Sequence, residues 1–292
     1  MSYSPSLGLL VAHSAEYVEE TTFGTQPTNP TWNWIGTDLQ YSDTADMGSI
    51  LIRNLGTEDL KSVVKGADNY DVTLDYALQA STFLKYLVNS QGGGAGSIDK
   101  SLSVLISPKI SGTTNYLEAL GCRPDSGSIK WQLGKELRGN LKLFAQSISA
   151  YTSTDPTGTG SHASDPGTTP WVFTDPGASG ITFGGTAYDI QDMTVNFNRN
   201  LQRVRAIGQS TAKYIVPSIR DITFDVTIML EATANYSALL NNTSQTIAAP
   251  LKNGTSILTL SNAFFQKQGK SIQVKDVIYE KYTGVAESAS LT

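Results

Sequence analysis

The chain has 292 residues, of which 39% are hydrophobic and 16% charged, and its formal net charge is −5. That apolar content excludes a disordered chain, and the acidic balance excludes a sequence-reading DNA binder held by phosphate contacts. The charged fraction lies below the roughly 25% of an average soluble domain. Ser, Thr, Gly, Asn and Gln fill the gap, which suits a surface that buries itself against further copies of the chain.

Cys122 is the only cysteine, so no disulfide framework or cysteine-based metal site can form, and a buried, small apolar role is expected. Met1-Ser2-Tyr3-Ser4-Pro5 has no basic region leading into an apolar run, so no signal peptide is expected. The longest apolar stretch, Leu9–Ala12, is too short to span a bilayer. The expectation is a protein made in a cytoplasm and soluble until it assembles.

In chain order, Tyr70-Asp71-Val72-Thr73-Leu74 alternates with period two, which places Asp71, Thr73 and Asp75 opposite Val72 and Leu74 on a strand. Ser81 to Val88 carries Phe83, Leu84, Leu87 and Val88 at helical spacing, with Ser81 or Thr82 as cap. Gln91 to Gly96 resembles a phosphate cradle only superficially: no Lys-Ser/Thr follows, and a helix precedes it. Leu102–Ile106, Ile129–Leu133, Leu141–Leu143, Ile222–Ile228 and Ile272–Val274 read as strands. A short helix is expected around Tyr236, Leu239 and Leu240, and a hairpin at Asn253-Gly254. The class is mainly β, with a short helix packed on each sheet system.

Residues 151–180 consist mostly of Ser, Thr, Gly, Pro and Asp, and read as a linker or extended surface loop near the midpoint. The flanking halves echo one another. Asp46-Met47, five residues, then Arg53-Asn54-Leu55 matches Asp192-Met193, five residues, then Arg199-Asn200-Leu201. Asp71-Val72-Thr73 matches Asp225-Val226-Thr227 in the same order. The expectation is a duplication: domains at 1–150 and 181–292, joined by 151–180. The alignment sets Ile50 and Ile52 against Val195 and Phe197, and each arginine at a strand exit, as a salt-bridge or gatekeeper residue.

No catalytic constellation emerges. His13 and His162 are the only histidines, with no nucleophile elbow, metal-binding helix motif or calcium loop to accompany them. The expectation is a non-enzyme without cofactor or metal. From Arg199 to Arg220, five basic residues (Arg199, Arg203, Arg205, Lys213, Arg220) occur with no acidic one. This stretch is expected to meet a complementary surface on another subunit, the alternative being a solvated loop.

Glu19-Glu20-Thr21-Thr22-Phe23-Gly24-Thr25-Gln26-Pro27 resembles the N-terminal segment of phage tail tube proteins, and the stretches Ile129–Leu133, Leu141–Phe144 and Tyr188–Phe197 are similar to strands of that family. The resemblance implies tube domains of two packed antiparallel sheets, a β-sandwich or barrel with a flanking short helix. Copies form rings whose strands line one lumen, rings stack, and a long loop between two lumen strands bridges neighbours. Most members place six single-domain chains in a ring; relatives with two domains place three, with pseudo-sixfold symmetry. It also implies tape-measure and tail-terminator partners, DNA passing without sequence-specific binding, no membrane, and a virion tail assembled in the host cytoplasm.

Carried onto this chain, segments starting at Met47, Asp71, Met193 and Asp225 would line or border the lumen. The lumen or subunit-contact candidates are Asp46, Arg53, Asp71, Thr73, Asp75, Asp192, Arg199, Asp225 and Thr227. Asp71 and Asp75 would give a partly acidic wall that repels phosphates, although the second half has Met229 in place of the second carboxylate. Two alternatives remain at this level. One is a contractile-injection tube or adaptor ring. The other is a carbohydrate-binding sandwich using Trp32, Trp34, Trp131 and Trp171, against which the alternating context of Trp131 suggests a core position.

Overall fold

The computed structural model describes residues 14–53, 60–89, 100–110, 113–177, 180–229, 234–252, 255–271 and 279–292. The Gln91–Gly96 loop, the Asn253-Gly254 turn, the Ile272–Val274 strand, Asn54-Leu55 and His13 lie outside them.

The first half holds β1 (Ser14–Glu19), β2 (Asn33–Trp34), β3 (Thr37–Asp46), β4 (Ser49–Arg53), β5 (Leu60–Lys65) and β6 (Asn69–Ala77). Then come α1 (Lys85–Val88), β7 (Leu102–Ser107), β8 (Lys109–Ile110), β9 (Thr113–Thr114), β10 (Leu117–Gln132), β11 (Arg138–Ala145) and β12 (Ser147–Ile148). The second half holds β13 (Thr182–Phe183), β14 (Thr186–Ala187), β15 (Ile190–Asn198), β16 (Gln202–Val204), β17 (Tyr214–Val216) and β18 (Asp221–Met229). It ends with α2 (Ala234–Leu240), β19 (Gln245–Lys252), β20 (Ser256–Ser271) and β21 (Tyr279–Leu291). The protein is mainly β, as its alternating runs require, and its strand ladders are antiparallel.

Eight long strands form one sheet in the order β3-β6-β11-β10-β15-β18-β21-β20, which continues through β19, β13 and β14. Alternation decides its faces. Val72, Leu74, Leu141, Leu143, Ile129, Val195, Phe224 and Val226 point inward into one core cluster that spans both halves. Each such side chain contributes about 1.5–3 kcal/mol by leaving water. Trp131 joins this core, and Cys122 is buried as expected.

β10 changes partners along its length: residues 117–122 pair with β7, and residues 123–132 pair with β11 and β15. The bend falls at Gly121, where φ is +65° and a Cβ would sit 2.8 Å from that of Gln146. A side chain cannot be placed there without moving the sheet. Gly121 N–H also donates to Glu20 at 2.8 Å, and Glu20 accepts from Gly24 N–H, Ser101 and Ser103 as well. The Glu19–Pro27 segment is thus pinned by one buried carboxylate whose partners come from three separate stretches of chain.

Two expectations about helices are corrected or met. α1 spans only Lys85–Val88, preceded by turns rather than by helix from Ser81. The expected cap at Ser81 or Thr82 is absent because the helix starts later, with Leu84 at the N-cap position; Ser81 Oγ instead lies 2.9 Å from Ser256 Oγ. Phe83, Leu84, Leu87 and Val88 are all buried as expected. α2 lies where the Tyr236–Leu240 pattern placed it.

Residues 151–177 do not hang free between the halves. Trp171 is buried, donates its backbone N–H to Leu78 O at 2.7 Å, and accepts from Leu137 N–H at 2.8 Å. Ser161 exchanges backbone bonds with Pro30 and Trp32. His162 bridges Glu16 and Asp155, each at 2.9 Å. A stretch too polar to order itself is held along the first half by these bonds.

The succession strand, hairpin arm, strand, helix, strand, two long strands occurs twice. The sheet orders β3-β6-β11-β10 and β15-β18-β21-β20 correspond. The ladders nevertheless overturn the alignment read from Asp46 and Asp192. Asp71 faces Thr44, and Asp225 faces Thr194. If Asp71 and Asp225 are equivalent, Asp46 then matches Asn196, and Ala45 matches Val195. Ile50 and Ile52 match neither Val195 nor Phe197: they lie exposed in a hairpin, whereas the latter pair is core. The strand corresponding to β15 is β3, so Met47 begins the arm rather than the long strand.

Candidate functional site

The face of the long sheet turned away from the core is polar. Opposed residues share a face, so the ladders define rows across it. One row runs Gln40, Asp75, Asn140, Ser128, Asn196, Thr223. The row beside it runs Arg138, Lys130, Thr194, Asp225, Thr283, Lys267. Serine, threonine and asparagine predominate, interspersed with charges of both signs.

Asp71, Thr73 and Asp75 are half-buried on this face, opposite the buried Val72 and Leu74. The expected acidic wall is neutralised, however. Asp75 pairs with Arg138 at 2.5 Å, and Arg138 also holds Asp38 and Glu136. Asp71 pairs with Lys142 at 3.1 Å and with Arg203. Asp192 accepts from the Thr227 hydroxyl at 3.0 Å. Asp225 lies half-buried on the same face with no ion-pair partner among the described residues. Asp46 caps the turn into the arm by accepting Gly48 N–H at 3.0 Å. Arg53 is exposed at the end of β4.

The two halves meet along β10 and β15, in register from Ser126 opposite Asn198 to Gln132 opposite Asp192. Arg199 closes this seam. Its buried guanidinium donates to Leu87 O at 2.8 Å and to Asn89 O at 2.6 Å, while Arg220 reaches Val88 O at 2.5 Å. These carbonyls end α1 and have no partner within the helix, so two arginines from the second half cap a helix of the first. Arg199 is therefore a buried carbonyl clamp and not a gatekeeper.

The hairpin β16–β17 lies across the same seam onto the first half. Leu201, Ala212 and Ile215 pack against Phe23 and Phe144. Arg203 sits 3.8 Å above the Phe144 ring while pairing with Asp71. Arg205 donates to Asp68 O at 2.9 Å, Arg123 to Ile215 O at 2.8 Å, and Ser210 Oγ to Asp68 at 2.7 Å. The Ser210 hydroxyl, followed by Lys65, holds the Asp68 carboxyl below its ordinary range. Four arginines of the basic stretch thus find partners within the chain, Arg203 at the Asp71 carboxylate and Arg199, Arg205 and Arg220 at backbone carbonyls, which corrects the expectation of another subunit. Sequence reasoning missed Arg138, Lys142, Phe144 and Asp68, because their roles arise only when distant strands pair.

The corresponding hairpin of the first half, β4–β5, is exposed on both faces. Ile50, Leu51 and Val63 are 56%, 52% and 60% accessible, against 1% for Ile215. Two backbone flanks are also open among the described residues. β3 pairs only with β6, and Phe264–Ser271 of β20 pairs only with β21. Long open edges of this kind are templates for another chain.

A cavity of about 450 Å³ lies beside Trp131, Phe173, Tyr188 and Met229. Among the described residues no group of His, Cys, Asp or Glu is arranged to hold a metal ion, and no helix is long and apolar enough to cross a membrane. Trp32, Trp131 and Trp171 are buried, which removes the exposed tryptophan platform that the carbohydrate-binding alternative requires.

An antiparallel sheet with one apolar face, one polar face and open flanks at its ends is the architecture of a self-assembling structural protein. Comparison with protein families agrees: residues 14–287 match the phage tail tube protein family, and the chain belongs to it. No curated protein sequence matches the chain.

Proposed function

We propose that the chain polymerises into stacked rings that form the hollow tail tube of a virion, the conduit through which DNA is ejected. Each chain supplies two tandem tube domains, 1–150 and 181–292, and three chains make a ring with pseudo-sixfold symmetry. The observation that carries this reading is the eight-strand sheet. It repeats one strand order twice, joins the copies edge to edge through β10 and β15, and keeps one open flank toward each end.

Size supports the count. An eight-strand barrel is just wide enough to be filled by its own side chains, so a single copy cannot enclose a conduit. Strands about 4.8 Å apart and tilted by about 40° give three such sheets a barrel roughly 45–50 Å across between backbones, which admits a DNA duplex. The polar face becomes the lumen wall, with Asp71, Thr73, Asp75, Asp192, Asp225 and Thr227 on it. Ion pairing makes that wall mixed in sign, so passing phosphates meet small polar groups rather than a strongly charged lining. Self-association is the primary partnership; a tape-measure protein within and a tail-terminator protein at the end complete it, with assembly in the host cytoplasm.

Electron microscopy of the purified chain with mass measurement tests this. Filaments built of three-chain rings are expected. Six-chain rings would retain the tube and remove the tandem-domain count; a persistent monomer under all assembly conditions would overturn the reading.

A further inference from the structure

The exposed β4–β5 hairpin and the docked β16–β17 hairpin occupy the same place in the two halves, between the first and second long strands. An isolated two-stranded hairpin is marginal in water, and one with Ile50, Leu51, Ile52, Leu60, Val63 and Val64 all exposed needs a cover. The docked hairpin indicates which cover. It crosses the β10–β15 seam and rests on the polar face of the half beyond it, where Arg203 meets Asp71.

The ladders carry this contact over residue by residue. Thr44 faces Asp71 and Thr194 faces Asp225, so the threonines and the aspartates correspond. Thr44 to Arg53 and Thr194 to Arg203 span the same number of residues, so Arg53 stands where Arg203 stands. Asp71 has its arginine. Asp225 and Arg53 have no ion-pair partner among the described residues, and within one chain they stand far apart in the strand order, because β6, β11, β10 and β15 lie between β3, which leads into the arm, and β18.

We propose that β4–β5 docks on the second half of a neighbouring copy and that Arg53 pairs there with the neighbour's Asp225, repeating between chains the contact of Arg203 with Asp71 within one. The inference rests on the tube reading and specifies its second seam: β3 of one copy lies along the open Phe264–Ser271 flank of the next, and the arm crosses over that seam. The contact is heterologous, so it propagates until rotation closes the ring. Opposite charges at its centre fix the order of copies and reject a head-to-head arrangement.

Charge reversal tests it. Arg53→Glu and Asp225→Arg each lose tube formation and elute as monomer, and the double variant Arg53→Glu/Asp225→Arg recovers tubes. Circular dichroism and melting of the single variants should match the parent, since Arg53 is exposed and Asp225 lies on the polar face, away from the core, without an ion-pair partner among the described residues. Independently, Arg53→Cys/Asp225→Cys should give an oxidation-dependent ladder of cross-linked chains in assembled tubes, with buried Cys122 silent. Tubes that form in both single variants, or that form without the ladder, overturn this contact and leave the tube reading intact. Failure of the unaltered chain to form rings or tubes overturns both.

Discussion

The hairpin between β15 and β18 lies pressed on the first half, whereas the hairpin between β3 and β6 stands in solvent on both faces. The two occupy the same place in the repeated strand order. What differs is what comes before them. β15 is preceded across the sheet by β10 of the same chain, which gives its arm a surface on which to land; among the described residues no strand lies beyond β3. The pair teaches that an arm's burial here depends on the neighbour beyond its own edge strand and not on the arm alone.

The contrast can be broken at several points. The largest effect is expected at the seam itself. Arg199→Ala leaves the carbonyls of Leu87 and Asn89 without their donor and should destabilise the isolated chain by about 3 kcal/mol, read as a lowered urea midpoint. Next, Arg203→Ala removes the Asp71 ion pair and the contact with the Phe144 ring, and should cost about 1–2 kcal/mol in the monomer. Arg53→Ala in the same monomer should stay within about 0.5 kcal/mol. If the two arms behave alike in this experiment, the comparison fails.

Acid should act at Asp68, where Ser210 of the docked arm and Lys65 at the end of β5 both meet its carboxylate. Asp68 is held below its ordinary range by Ser210 and Lys65, so its stabilisation is present above the unfolded carboxylate value and is lost as pH falls through the lower folded value. Asp68→Asn should therefore cost about 1 kcal/mol at pH 7, and the variant and parent should converge on denaturation as pH falls below the ordinary carboxylate range. A control distant from both arms gives the smallest change. Burial, aided by Glu20, pushes the Glu118 carboxyl up to about 7. The folded chain then holds a proton that the unfolded chain releases, and stability declines as pH rises from the ordinary value through 7. Glu118→Gln should stabilise the chain at pH 8 by less than about 1 kcal/mol, read by urea unfolding, and leave stability unchanged at pH 4.

The strands were legible because alternation is local. Asp71, Thr73 and Asp75 fell on the face opposite Val72 and Leu74, as period two requires. The two-fold echo in the sequence led to an alignment that the ladders replaced. Asp46-Met47 matched Asp192-Met193 by composition, yet Asp46 sits at a turn and Asp192 within a paired strand. Register is set by partners far away in sequence, so a run of identities cannot reveal it. The same limit hid Arg138 and Lys142 as counterions and made the Arg199–Arg220 stretch look like a contact between subunits. Its acidic complement, Asp68 and Asp71, lies more than a hundred residues earlier. The α1 cap was misread because the helix begins at Lys85, three residues beyond Thr82, so neither Ser81 nor Thr82 stands at the N-cap position.

The seam between β10 and β15 is made of one polypeptide, which has a consequence for dilution. A joint between tethered surfaces forms at an effective concentration of the order of millimolar, independent of how much protein is present. The proposed joint across the open flanks of β3 and β20 would have no tether and would obey mass action. A ring of three such chains would therefore contain three untethered seams, where a ring of six separate domains would contain six. On dilution it should open first at alternate seams and shed whole chains with the covalently spanned seam still closed.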